Sequence, residues 1–300
     1  MTNYSMADIV SITGIKAHTL RKWESRYNFI EAKRTATNIR FYTDEQLRKL
    51  LNINILTRNG YRISKIDGMS DAQIHEVVSK ILLETTPHDD LNALILCMLE
   101  MNEIDFNEIM SKNISKHGLL KTITDVLYPF LNHIGVLWRT NKAMPAQEHF
   151  ISNLIKQKMF SAIDTIPSKD ESCPTIVFYL MEVESHEIGL LLANYIAKEL
   201  GWRTIYLGSN VPLENIKDVL EITKPHLMMT MFTMLRASQI EILISSINKY
   251  TTVTLAVSGS GNIENSVETS NQVIYLNNPD EFIKLLNLKQ KSFHSKRSLV

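Results

Sequence analysis

The hydrophobic periodicity of this 300-residue chain changes near Pro174, and that change limits the fold more than any other feature. Up to about residue 165 apolar residues recur three and four apart, the spacing of helices that bury one face. Beyond Pro174 short continuous apolar runs alternate with amphipathic stretches. Thr175–Met181 has the composition of a parallel strand covered on both sides. A helix over Ile188–Leu200 closed by Gly201, a strand over Arg203–Leu207, a helix over Leu213–Glu221 and a strand over His226–Met231 are expected next. A helix over Ala237–Lys249, strands over Val253–Val257 and Gln272–Tyr275 and a helix over Pro279–Leu286 complete the series. Alternation of this kind makes a doubly wound parallel α/β sheet, which takes ligands at the carboxyl ends of its strands.

The helical part divides again. Residues 1–66 carry twelve Lys and Arg against five Asp and Glu, a surplus of seven in a chain whose formal net charge is zero. A basic block on an otherwise acidic chain fits a polyanion partner, because phosphate neutralisation supplies most non-specific DNA affinity. Ser5 suits the N-cap of a helix over Met6–Ile12, Gly14 lies in the turn, and a second helix runs from about Lys16 to Arg26. Two short helices joined this way read as helix-turn-helix, whose second helix enters the major groove. Lys16, His18, Thr19, Arg21 and Lys22 form its polar face, with Ile15, Leu20 and Trp23 behind it. The stretch from Lys33 to Arg40 reads as a β-wing in which Arg40 and Tyr42 contact phosphate, and Thr43 with Gln46 forms a capping box for the next helix.

From Asp71 to Thr165 four or five helices with short connections suggest a small bundle. Trp138 ends one helix and Pro145 opens another, placing Glu148 and His149 in its first turn, where they could converge on one face of a ligand. After the first strand comes Glu184-Ser185-His186-Glu187-Ile188-Gly189. An imidazole here can ligate a metal through one nitrogen while a carboxylate holds the other, and Gly189 lets the backbone turn closely into the helix. Cys97 and Cys173 are isolated and expected to be free, as in a reducing compartment. No apolar run reaches the roughly 20 residues of a membrane span, and the first residues lack a signal-peptide pattern, so a cytoplasmic location without membrane contact is expected.

Several strings carry a family resemblance. Leu20-Arg21-Lys22-Trp23-Glu24-Ser25-Arg26-Tyr27, Arg40-Phe41-Tyr42-Thr43-Asp44-Glu45 and Gly60-Tyr61-Arg62-Ile63 resemble the winged helix-turn-helix domain of MerR-family regulators, which implies a dimer that binds and distorts double-stranded promoter DNA. Glu184-x-His186-x-x-Gly189 resembles the Asp-x-His-x-x-Gly signature of cobalamin-binding domains, whose flavodoxin-like sheet presents the His as lower cobalt ligand. The small hydroxyl residue and the Gly-Gly pair that flank the cofactor's nucleotide tail in those domains correspond here to Thr230 and to Ser258-Gly259-Ser260-Gly261. Trp138, nine residues, then Glu148-His149 is similar to the motif of cobalamin-dependent MerR regulators of the CarH and LitR type, in which the helical bundle covers the upper cobalt face. The resemblance implies a light-responsive repressor, not an enzyme, with adenosylcobalamin or methylcobalamin as cofactor and a homodimer or homotetramer as its assembly. Members of that type carry a His after the Trp; this chain has Arg139, so either a different photoproduct or a response to cobalamin without the same light chemistry is expected. The expected organisation is a winged helix-turn-helix at 1–70, a bundle at 71–170, an α/β cobalamin domain at 171–290 and a basic tail at 291–300. A cobalamin-independent regulator with a structural C-terminal domain and a corrinoid-carrier enzyme component are the alternatives; the basic N-terminal block argues against the second.

Overall fold

The structure, a computed structural model, describes residues 3–27, 29–35, 37–82, 87–139, 144–182, 184–233, 237–259 and 272–297. They fall into two compact units, Met1–Asn153 and Leu154–Val300.

The first unit opens with β1 (Tyr4–Ser5), α1 (Met6–Thr13) and α2 (Ala17–Glu24). Ser5 and Asp8 form a reciprocal capping box at the start of α1, which satisfies two donors that a helix leaves without partners. Gly14, at φ 72°, ends α1 in the left-handed conformation that glycine adopts without steric cost. β2 (Lys33–Arg34) and β3 (Arg40–Tyr42) make the wing, in an antiparallel sheet ordered β1-β3-β2. Thr43 caps α3 (Asp44–Arg58), with Gln46 completing the box as its spacing implies.

Tyr42 corrects the sequence reading. Its side chain is fully buried, and its hydroxyl donates to Glu24 Oε1 at 2.6 Å, so it faces the core and cannot reach phosphate. Burial, then the bond to Glu24, raises its pKa and keeps it a donor. The second oxygen of Glu24 accepts from Arg40 Nε at 3.2 Å, which offsets part of the Arg40 charge. Alternation along β3 produced this: Phe41 and Tyr42 lie on opposite faces, and Tyr42 takes the inner one.

After α4 (Ile63–Ile66), the helices α5 (Asp71–Leu82), α6 (Pro87–Glu100), α7 (Glu103–His117), α8 (Leu119–Thr122), α9 (Tyr128–Arg139) and α10 (Pro145–Thr165) follow. α3 packs on α5 and α6, so the N-terminal helices and the bundle share one unit. Ile123–Leu127, between α8 and α9, is a π-helical turn that periodicity gave no sign of. Buried Asn113 of α7 donates to Asp90 of α6 at 2.9 Å, a polar tie inside the bundle.

The second unit holds a five-stranded parallel sheet of β4 (Thr175–Met181), β5 (Arg203–Val211), β6 (Leu227–Phe232), β7 (Leu255–Gly259) and β8 (Val273–Leu276). Their spatial order is β5-β4-β6-β7-β8, the doubly wound order in which the chain reverses direction between its first and third strands. Every residue of β4 is buried, as the uninterrupted apolar run requires. Val177, Tyr179 and Met181 pack with α12 (Leu213–Thr223) and α13 (Ala237–Asn248); Phe178 meets Phe282 of α14 (Pro279–Arg297) on the opposite face, where α11 (Ile188–Glu199) also packs. α14 continues well past the expected end at Leu286 and takes in residues 291–297 of the expected basic tail. Phe293 explains the extension: its ring packs edge-on against His226 at 4.8 Å. Ser260 and Gly261 lie outside the described residues.

Because the Tyr42 hydroxyl is an internal donor to a carboxylate, Tyr42→Phe should lower unfolding stability by about 2 kcal/mol. It should leave the salt dependence of DNA binding unchanged. Denaturant titration and a salt series of DNA binding read the two quantities; a shallower salt slope would restore Tyr42 as a phosphate contact.

Candidate cofactor site and nucleic-acid interface

The crevice at the carboxyl ends of β4 and β6, where a doubly wound sheet reverses, is its usual ligand position. The loop after β4 brings Glu184 and His186 there, and the end of β6 brings Thr233. Glu184 is fully buried, and its carboxylate joins the two loops. Oε1 accepts from His186 Nδ1 at 2.7 Å and from the His186 amide at 3.1 Å; Oε2 accepts from the Thr233 amide at 2.7 Å. The Thr233 hydroxyl lies 2.9 Å from both oxygens.

Burial alone would raise the Glu184 pKa. The bonds from the His186 ring, the Thr233 and His186 amides and the Thr233 hydroxyl outweigh it and hold the group down at about 2. A permanently ionised carboxylate can only accept, so it fixes the proton of His186 on Nδ1 and makes Nε2 the basic nitrogen of the neutral ring. The His186 side chain is 42% exposed against 0% for Glu184. An accessible imidazole whose other nitrogen is oriented and made more basic by a buried carboxylate has the chemistry to ligate a metal through Nε2.

Thr230 lies inside β6, not after it, and is fully buried; its hydroxyl has no hydrogen-bond partner among the described residues. A buried hydroxyl in that condition costs free energy that an inserted polar ligand group would recover. The residue that follows the strand is Thr233, which spacing alone did not mark because its importance comes from Glu184, 49 residues away. Ser258 Oγ donates to Leu276 O at 2.8 Å. Gly259 pairs with Phe232 across the β6–β7 ladder, and a Cβ there would come within 1.8 Å of the Phe232 carbonyl oxygen. Only glycine fits. Gly189 lacks a positive φ; it lies in the first turn of α11, where a Cβ would press on Met231 Sδ at 2.7 Å, so close packing explains it better than a turn does.

In the first unit, Trp138 is in the last turn of α9, its side chain outside the described residues; Glu148 is half-buried and His149 exposed in the opening of α10. The residue that sets this opening is Gln147. It is 5% exposed, accepts from the Met144 amide at 3.0 Å and donates to Leu99 O of α6 at 2.9 Å. Nothing in the spacing distinguished it from its charged neighbour.

On the nucleic-acid side, Lys16, His18, Arg21 and Lys22 are exposed along α2, Thr19 is half-buried, and Leu20 is fully buried behind them. The helix therefore separates a basic outer face from an apolar inner one, as a groove-reading helix must.

Residues 4–73 match the MerR HTH family regulatory protein, and residues 90–161 match the B12 binding domain. The second match falls on α6 to α10, while the Glu184–His186 pair lies beyond it. The HTH-type transcriptional repressor CarH of Myxococcus xanthus is 23% identical over 220 residues, 71% of this chain and 73% of that protein. The HTH-type transcriptional repressor CarA of the same organism is 26% identical over 245 residues, 77% of each. The solved structure of the Methanosarcina barkeri monomethylamine corrinoid protein superposes with a TM-score of 0.53 at 16% identity over 68% of this chain and all of that one, a likeness of fold.

The Glu184 pKa yields a test in the cofactor-free chain. Folding lowers it from 4.5 to about 2, so its contribution to stability is fully present above pH 4.5 and is lost as pH falls towards 2. The contribution is about 3 kcal/mol. Glu184→Gln should flatten the pH dependence of the urea midpoint across that window; an unchanged profile would remove Glu184 as its source.

Proposed function

We propose that this chain, which joins a MerR-type helix-turn-helix segment to a B12-binding segment, is a cobalamin-dependent transcriptional repressor. The observation that carries the reading is the Glu184–His186 pair at the sheet's reversal point, on the same chain as the basic face of α2. When bound, cobalamin would supply a cobalt–carbon bond that light can break. His186 Nε2 would ligate the cobalt, with Glu184 maintaining the tautomer and Thr233 maintaining Glu184. Thr230, Ser258 and Gly259 would line the place of the nucleotide tail; the Thr230 hydroxyl fits because it has no hydrogen-bond partner among the described residues. Trp138, Glu148 and His149 would face the upper ligand, with adenosylcobalamin the form that such a cap suits. Lys16, His18, Arg21 and Lys22 would contact promoter DNA, with Thr19 and Arg40 at the margin. No turnover is needed for this role. A corrinoid carrier would use the same His186 pair but would have no use for the exposed basic face of α2. Modules at 1–70, 71–170 and 171–290 suit this division of work, and self-association controlled by the cofactor and light would convert loading into a change in DNA affinity.

The test is dark reconstitution of the full chain with adenosylcobalamin, followed by an absorbance spectrum, gel filtration and a DNA mobility shift before and after illumination. The wild-type chain should retain cobalamin, assemble and bind DNA in the dark. His186→Ala should lose imidazole coordination and bind the cofactor at least tenfold more weakly, in line with the usual cost of disturbing a metal site. Failure of the wild-type chain to retain cobalamin would overturn the reading. Retention with no effect of light on assembly or DNA binding would remove photoreception and leave cofactor sensing.

A further inference from the structure

The last carbonyls of a helix have no partner within it and must be satisfied from outside. At the end of α1 these partners come from three directions. The Gly14 amide donates to Val10 O at 2.9 Å, Thr13 Oγ1 donates to Ile9 O at 2.7 Å, and Asn54 Nδ2 of α3 donates to Thr13 O at 2.6 Å. Ile12 O is met from much farther along the chain, by the ring nitrogen Nε2 of His133 in the middle of α9, at 3.1 Å.

Ile12 is 3% exposed, so water is poorly placed to replace the imidazole. A carbonyl only accepts, which places the His133 proton on Nε2; burial lowers the pKa of the ring and favours its neutral form. Two adjacent carbonyls at the head of the α1–α2 turn are therefore held by side chains of different origin. Asn54 belongs to the helix-turn-helix segment itself, His133 to the bundle. α2, with Lys16, His18, Arg21 and Lys22 on its outer face, begins three residues after Gly14.

α9 is suited to carry a displacement to that point. Trp138 lies five residues beyond His133, about 7.5 Å along the axis at the α-helical rise. At its other end α9 follows the π-helical turn Ile123–Leu127, an irregularity of the kind frequent at functional sites.

We propose that His133 ties the α1–α2 turn to the helical bundle, so that a shift of α9 on cofactor binding reaches the DNA-reading helix through the Ile12 carbonyl. This rests on the cobalamin-dependent reading above. The bond itself does not depend on it.

The experiment measures affinity for a duplex selected on the wild-type chain from a random-sequence library, with and without adenosylcobalamin in the dark. Couplings between sites usually amount to ~5–150-fold. His133→Leu should bring the ratio of the two affinities to within about twofold of one while leaving the bound-cofactor spectrum unchanged. His133→Gln, whose amide donates from a similar reach, should keep most of the wild-type ratio and guards against a folding defect in the Leu variant. In the cofactor-free chain, His133→Leu should speed amide hydrogen exchange at Gly14 and Ile15. A wild-type ratio above one that the Leu variant retains overturns the inference alone. A wild-type ratio of one overturns both the regulator reading and the transfer through His133, and unchanged exchange at the turn overturns the tie itself.

Discussion

Everything proposed for the second unit depends on one buried carboxylate. Glu184 is fully excluded from solvent yet ionised, because four donors from two loops surround it. Those loops leave the sheet on either side of its reversal point, so the carboxylate ties together the two segments that flank the crevice. His186 takes its orientation from this bond. An imidazole on a loop with no such partner would sample many rotamers, whereas here one tautomer and one ring position are set before any ligand arrives. Glu in place of Asp lengthens the reach by one methylene and still satisfies every donor.

The first unit applies a similar device to a different end. Glu24 holds Tyr42 and Arg40 together, fixing the wing to α2. Asn54 and His133 hold the end of α1 and thereby the turn that presents the basic helix. Polar side chains set position, and apolar ones such as Leu20, Leu47 and Leu50 supply the burial that makes those positions worth holding.

Much of the architecture was legible in the sequence because it is local. The Ser5 N-cap, the Thr43 capping box, the glycine after α1 and the apolar run of β4 follow from a few adjacent residues, and each is present in the structure. Alternation of strand and helix implied the doubly wound sheet, and resemblance to the cobalamin-binding signature singled out Glu184 and His186. What was not legible is tertiary. Tyr42 read as a surface phosphate contact because its string is basic, but its partner Glu24 lies 18 residues away. Thr233 and Gln147 matter through Glu184 and Leu99, distant in sequence. The extension of α14 to Arg297 depends on the contact of Phe293 with His226, and the π-helical turn leaves no mark on apolar spacing.

The central claim is that His186, held by Glu184, would ligate the cobalt of a bound cobalamin. Electron paramagnetic resonance of the cobalt(II) form bound to the full chain tests it most directly, because an axial nitrogen splits the signal according to its nuclear spin. With histidine labelled with nitrogen-15, the superhyperfine pattern should change from a triplet to a doublet. His186→Ala should abolish that change. A triplet that survives the label would mean that the cofactor's own base remains on the metal, and the account of His186 would be wrong.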